Sequence, residues 1–262
     1  MIHALIFDVD GTLADTEETH RQAFNYAFVR FELKWEWTKP MYRELLKISG
    51  GKERIGHFIG TLPVPPGEKA RLCQLVSAIH RTKTELYTEL IADGRCPLRP
   101  GVTRLFAEAQ EAGLRLAIAS TTTAANVDAL LTRHLGSTGL RQFYTIACGD
   151  LVQEKKPAPD IYRLALSTLG LPAQHCVAFE DSLNGLRAAK EAGLFTVVTP
   201  SQWNTGEDFA GADLELPFLG DADHPLPPAQ AAAVGRDWLG VAELGSLHAA
   251  AIDSSLAEGA RR

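Results

Sequence analysis

LIFDVDGTLADTE, residues 5–17, decides how this chain is read. Leu5 to Val9 belong to a short apolar run, the mark of a buried strand. The run breaks into Asp8, Asp10, Gly11 and Thr12. Asp8 and Asp10 are two residues apart, so both can point to one side as the strand ends. Gly11 lets the chain turn away, and Thr12 is placed to help hold that turn. Asp15 or Thr16 is placed to cap a helix whose apolar residues recur at Ala23, Phe24, Ala27, Phe28 and Phe31.

Outward from this stretch the pattern changes twice. Residues 39–95 read as helix only: MYRELLKI, then ERIGHFIG, then the longer GEKARLCQLVSAIHRTKTELYTELIADG. After Pro100, helices alternate with short apolar strands. Strands are expected at Leu116–Ala119, Tyr144–Ala147, Cys176–Phe179 and Phe195–Val198. Helices are expected at Val102–Ala112, Ala124–Leu135, Ala158–Leu169 and Leu183–Ala192. Such alternation means βαβ units and a parallel sheet. The fold class is therefore α/β, a Rossmann-like parallel sheet core with an inserted helical cap. Residues 1–15 and 96–220 form the core, 16–95 the cap, and 221–262 a C-terminal extension. In the extension DADHPLPPAQ reads as an extended link, followed by two short helical stretches around Trp238 and His248. The last residues, DSSLAEGARR, are expected to fray.

Composition narrows the function classes. Hydrophobic residues make up 45% and charged residues 22%, as in ordinary globular proteins. A formal net charge of -6 speaks against a nucleic-acid partner. No apolar run reaches membrane-span length, and the N-terminus lacks the basic start and long apolar stretch of a signal peptide. Cys73, Cys96, Cys148 and Cys176 are scattered, with no CxxC pair, so neither a zinc site nor a disulfide framework is suggested. A reducing cytoplasm and a monomer acting on a small molecule are the expectation.

In open α/β sheets ligands bind at the carboxyl ends of the strands. The expected strand ends carry Asp8 and Asp10; Ser120, Thr121 and Thr122; and Glu180 and Asp181. A connection carries Lys155 and Lys156. Clustered carboxylates cannot all stay ionised without a cation, and all-oxygen ligands suit a hard ion such as Mg2+. Such a site holds a metal and an anion together. A cation and a lysine remove the repulsion between a carboxylate nucleophile and a phosphate monoester. Attack by the carboxylate gives an aspartyl-phosphate, and a second carboxylic acid moves the protons. Ser120 and the backbone N–H groups opening the next helix offer a phosphate cradle. Singly, each piece has a plainer reading. DxD occurs in surface turns, Ser120 is a possible helix cap, Lys155-Lys156 a solvated pair, and Glu180-Asp181 a cap for the helix from Leu183. Their joint occurrence at successive strand ends favours the site.

FDVDGTLADTE, AIAST, KKPAPDIY and AFEDSLNGLRAAKEAG, in this order, resemble the four motifs of the haloacid dehalogenase superfamily, in the form found in its phosphatases and phosphomutases. The resemblance implies Asp8 as nucleophile, Asp10 as general acid/base, Ser120 as phosphate ligand and Lys156 as charge-balancing lysine, with Lys155 beside it. It implies Mg2+ held by Asp8, the Asp10 carbonyl, Glu180 and Asp181. FDVDGTLADTEE, SGGKERI, KKPAPDIY and FAGADL together look like the CbbY-type branch, close to β-phosphoglucomutase. That branch implies a sugar bisphosphate, xylulose 1,5-bisphosphate, an inhibitor of Rubisco, and hydrolysis rather than mutase chemistry. In the cap, Ser49, Gly50 and Gly51 read either as a flexible turn or as backbone close to the substrate, with Lys52 and Arg54 on a second phosphate. Glu17 and His20 read either as an exposed helix face or as partners of sugar hydroxyls. Trp35, Trp37, Trp203 and Trp238 read as packing residues. The extension suggests no function.

Overall fold

The computed structural model describes residues 1–259, with side chains described as far as Ser254. The chain opens on β1 (Ala4–Phe7), followed by four helices: α1 (Glu17–Arg30), α2 (Lys39–Leu45), α3 (Gly51–Thr61) and α4 (Pro66–Ala92). Then come α5 (Val102–Glu111), β2 (Arg115–Ser120), α6 (Ala124–Leu135), β3 (Phe143–Cys148), α7 (Asp160–Leu169), β4 (Cys176–Glu180), α8 (Leu183–Glu191) and β5 (Phe195–Val198). A two-residue strand, β6 (Leu214–Glu215), and two helices, α9 (Pro228–Val234) and α10 (Val241–Gly259), complete it.

The strands form one sheet in the order β3-β2-β1-β4-β5-β6, and every pair is parallel. β1 sits in the middle and the winding reverses beside it. In doubly wound sheets that reversal opens a crevice at the carboxyl ends of the strands. Asp8 therefore leaves β1 at the crevice, and Asp181 leaves its neighbour β4 there.

The period-two pleat splits the sheet core by residue size. Leu5 and Phe7 face one side with Leu116, Ile118, Val177 and Phe179. Phe7 stacks on Phe179 at 4.5 Å and meets the edge of Phe106 at 5.1 Å. Ala4 and Ile6 face the other side, where Ala117, Ala119 and Ala178 are their neighbours. Those small side chains leave room for Tyr162, Ala165, Ala188 and Ala189 of α7 and α8. The large face thus supports α5 and α6, and the small face brings α7 and α8 close.

The four helices after β1 bury a ring of aromatics. Trp37, fully buried, lies 4.6 Å from Phe24, 4.9 Å from Phe28 and 5.6 Å from Phe58. Trp203 is likewise buried, edge-on to Tyr42 at 5.5 Å. Among the described residues no helix is long and apolar enough to cross a membrane.

Several local expectations need correction. β6 is additional; only two residues long, it carries no readable alternation. Thr12 does not hold the first turn. Its buried hydroxyl has no partner among the described residues, and the turn rests on the Gly11 N–H to Ala14 carbonyl bond and on Arg99. The Arg99 guanidinium donates to the carbonyls of Gly11, Thr199, Pro200 and Pro217, tying three loops together. Thr16 stands at the cap of α1, but its hydroxyl donates to Asp10 instead. Thr123 rather than Ser120 caps α6, and Ser182 rather than Glu180 or Asp181 caps α8.

In the extension, Pro228 starts α9 instead of prolonging a link, as a first-turn proline can. Trp238 lies between helices, its ring beneath Arg236 at 4.1 Å and Arg104 at 5.8 Å. His248 does lie in a helix, and α10 runs on through Gly259, so most of DSSLAEGARR is helical; residues 260–262 lie outside the described residues.

The segment after β6 belongs to the same hydrophobic core, with Leu226, Val234, Leu239 and Leu244 buried in it. Leu244→Ala should therefore destabilise the protein by about 2–5 kcal/mol. Equilibrium denaturation would measure this, and an unchanged unfolding free energy would show the extension to be energetically separate.

Candidate active site

Asp8 is the residue after β1, and its N–H still bonds Phe179 O at 3.0 Å, so the strand pairing carries its side chain to the crevice. Lys156 Nζ donates to Asp8 Oδ1 at 2.7 Å, to Glu180 Oε1 at 2.6 Å and to the Ala119 carbonyl at 2.9 Å. Lys155 turns outward, to the Gly149 and Val152 carbonyls and Asp150. Lys156 is thus the lysine in the cluster, and its neighbour braces the loop that presents it.

One ligand oxygen each from Asp8, Glu180 and Asp181 lie within 4.8 Å of one another, and all three residues are buried. Three carboxylates against one ammonium leave an excess of negative charge. Burial is the main cause raising Asp8 to about 7, with Glu180 and Asp10 adding repulsion against the pull of Lys156. Burial, with the charges of Asp8 and Glu180, pushes Asp181 well above the usual carboxylate range. Burial works against the Lys156 charge, but Asp8 and Glu180 outweigh it and hold the ammonium protonated. This excess, offered by oxygen donors alone, fits a hard divalent cation. Gly11 adjoins the cluster with φ +85, and a methyl group there would overlap the Asp181 carboxylate.

Asp10 is held apart from this charge. Its Oδ1 accepts from Thr16 Oγ1 at 2.6 Å and pairs with His20 Nε2 at 2.8 Å. His20 Nδ1 meets Lys83 Nζ at 2.5 Å, and its ring stacks on Tyr87 at 4.1 Å. Burial opposes the Asp10 charge, but His20, Thr16 and Lys83 outweigh it and keep the carboxyl well below its usual range. His20 is buried, not on an exposed helix face, and both ring nitrogens are engaged within the protein.

The cavity above these groups has a volume of about 90 Å3. The structure brings together Asp8, Asp10, Glu17, His20, Gly50, Gly51, Arg54, Ser120, Thr121, Lys156 and Asp181 around it, with Glu180 beneath. Glu17 accepts from Tyr42 Oη at 2.8 Å. Arg54 is buried against the Tyr42 hydroxyl and the carbonyls of Leu45 and Ile48, with no carboxylate paired to it among the described residues. Lys52 does not reach the cavity. It turns to Asp150 across the gap between α3 and the loop after β3.

Sequence reasoning missed Lys83, His80, Asn126, Asn204 and Tyr162. Lys83 had a readable signal: it falls on the same stripe of α4 as the buried Ile79, Leu86 and Tyr87. Asn204 Nδ2 donates to the Asp181 carboxylate at 2.7 Å, but no local pattern announces it.

The chain is similar to known proteins in sequence and in fold. The family model for haloacid dehalogenase-like hydrolases matches residues 2–193. Protein CbbY from Cupriavidus necator is 49% identical over 247 residues, covering 94% of this chain and 97% of that protein. A crystal structure of a CbbY mutant from Rhodobacter sphaeroides in complex with xylulose-(1,5)bisphosphate is 48% identical, with a TM-score of 0.77, covering 85% of this chain and 98% of that one. A β-phosphoglucomutase from Clostridium difficile shares the fold at a TM-score of 0.63 and 24% identity, covering 82% and 91% of the two chains.

Burial, with the nearby Lys83 and Lys52 charges, lowers His80 to about 3. Its folded value lies below the unfolded one, so its contribution is present above pH ~6.5 and is lost as pH falls towards 3. His80→Gln should flatten the loss of stability across that window. Urea melts of wild type and variant at pH 4 and pH 7.5 would measure it; an equal pH slope in both would contradict it.

Proposed function

We propose that this chain, which belongs to the haloacid dehalogenase-like hydrolases, is a magnesium-dependent phosphatase that removes one phosphate from a sugar bisphosphate, xylulose 1,5-bisphosphate. The observation that carries this reading is the separation of two carboxylates. Asp8 lies in the charge-rich cluster under Lys156, while Asp10, two residues on, is held by His20 and Thr16. One is placed to attack phosphorus and the other to move protons.

We assign residues 1–15 and 96–220 to the core, 16–95 to a cap and 221–262 to an extension. Asp8, the Asp10 carbonyl, Glu180 and Asp181 would hold Mg2+, and the bound ion would neutralise charge on the transferring phosphoryl group. Lys156 orients Asp8 and balances its charge. Ser120, the last residue of β2, and Thr121, just beyond it, cradle the phosphate.

An Asp8 oxygen attacks phosphorus and the bond to the sugar oxygen breaks. Protonated Asp10 gives its proton to that leaving oxygen. Water then attacks the aspartyl-phosphate, Asp10 takes up its proton, and the bond from phosphorus to Asp8 breaks. Without substrate the environment of Asp10 favours the ionised form, as the second step needs, so the proton for the first step is taken up as the anionic substrate binds. Arg54, without a carboxylate partner, is assigned to the distal phosphate, and Glu17 to a sugar hydroxyl. The choice of xylulose 1,5-bisphosphate rests on relatives that are half identical along nearly their whole length.

Purified protein should release free phosphate stoichiometrically from xylulose 1,5-bisphosphate. It should isomerise β-glucose 1-phosphate little, even with a bisphosphate activator. Efficient formation of glucose 6-phosphate with little free phosphate would make it a mutase. Asp8→Asn should abolish turnover and Asp10→Asn should lower kcat by about 10²–10⁴-fold. Chelator should stop the reaction and added Mg2+ restore it. Near-normal phosphate release by Asp8→Asn would overturn the mechanism.

A further inference from the structure

We propose that Tyr162 is a positioning residue that divides the two carboxylate oxygens of Glu180, committing Oε1 to Lys156 and leaving Oε2 for the cation. Glu180 Oε1 accepts two donors, Lys156 Nζ at 2.6 Å and Tyr162 Oη at 2.5 Å. Among the described residues, Glu180 Oε2 accepts only the long bond from the Asp181 N–H, at 3.3 Å. The carboxylate is therefore asymmetric: one oxygen is saturated, and the other has coordination to spare.

Tyr162 fixes this asymmetry from below. It is fully buried on the small-residue face of the sheet, on α7, and its ring also supports the Lys156 ammonium at 5.0 Å. Without the hydroxyl, Lys156 is the only donor of any strength on Glu180 among the described residues. The carboxylate is then free to rotate and meet the ammonium with either oxygen, at the expense of the Lys156 bond to Asp8. Gly185, on α8, guards the other side. A methyl group there would overlap the Glu180 carboxylate, so the absence of a side chain makes the seat in which that carboxylate lies. Tyr162 and Gly185 thus clamp one carboxylate between two helices, and neither touches the cavity.

This inference rests on the reading of Asp8, Glu180 and Asp181 as a cation site. Partners that orient metal ligands typically contribute roughly 10–100-fold to affinity or activity. Tyr162→Phe keeps the ring and its packing and removes only the hydroxyl. Mn2+ binding to wild type and variant can be followed through the electron paramagnetic resonance signal of the free ion, without substrate. The expected result is a Kd weakened roughly 10–100-fold, with kcat reduced and the KM for the sugar phosphate unchanged. Gly185→Ala, which leaves every hydrogen-bonding group in place, should weaken Mn2+ binding as well, and it supplies the test if the Tyr162 variant folds poorly. Tight Mn2+ binding by wild type and an unchanged Kd in the two folded variants would overturn this inference alone. No Mn2+ binding by wild type would overturn the cation site and this inference with it.

Discussion

Everything at this site depends on one buried ammonium, Lys156, placed between two buried carboxylates. Burying charge costs several kcal/mol per ion, and only good geometry with further hydrogen bonds offsets that cost. The fold supplies both. The winding reverses beside β1, so Asp8 and Glu180 come from neighbouring strands, and the Ala119 carbonyl at the end of β2 takes the third ammonium proton. The sheet topology, the alanine-rich face that admits Tyr162, and the missing side chain at Gly185 all serve that contact. One ammonium cannot balance three carboxylates, and the excess of negative charge sets this cluster apart from an ordinary structural ion pair.

Much of this was legible in the sequence because it is local. An apolar run ending in DVDG, and another ending in ED, place their carboxylates by the geometry of a strand end alone. The alternation after Pro100 dictated a parallel sheet, and five of its six strands carry enough apolar residues to read. The sixth, Leu214–Glu215, is held by pairing with β5 and has no pattern of its own.

The parts that were not legible are set by contacts far apart in the chain. Lys52 and Arg54 are both basic and two residues apart, yet Arg54 is drawn into the cavity wall by three oxygens while Lys52 is drawn out to Asp150. Thr12 follows a glycine turn and looks like its clasp, but Arg99 does that work from 88 residues away. Caps were misplaced by one to three residues because several hydroxyl and acidic residues compete at each helix start, and the backbone path chooses among them.

The bond between His20 and Asp10 joins two segments that the sheet itself does not hold together. Asp10 belongs to the loop after β1, while His20 is on α1 and Lys83 on α4. The Asp10 carboxylate is thus held by side chains carried on the helices that follow β1. The cavity wall and the surroundings of Asp10 are therefore inherited as one package. A chimera that received foreign helices between residues 16 and 95 would gain a new cavity wall and lose the histidine and lysine that surround Asp10. Exchanging those helices without disturbing Asp10 means transplanting the two side chains along with them.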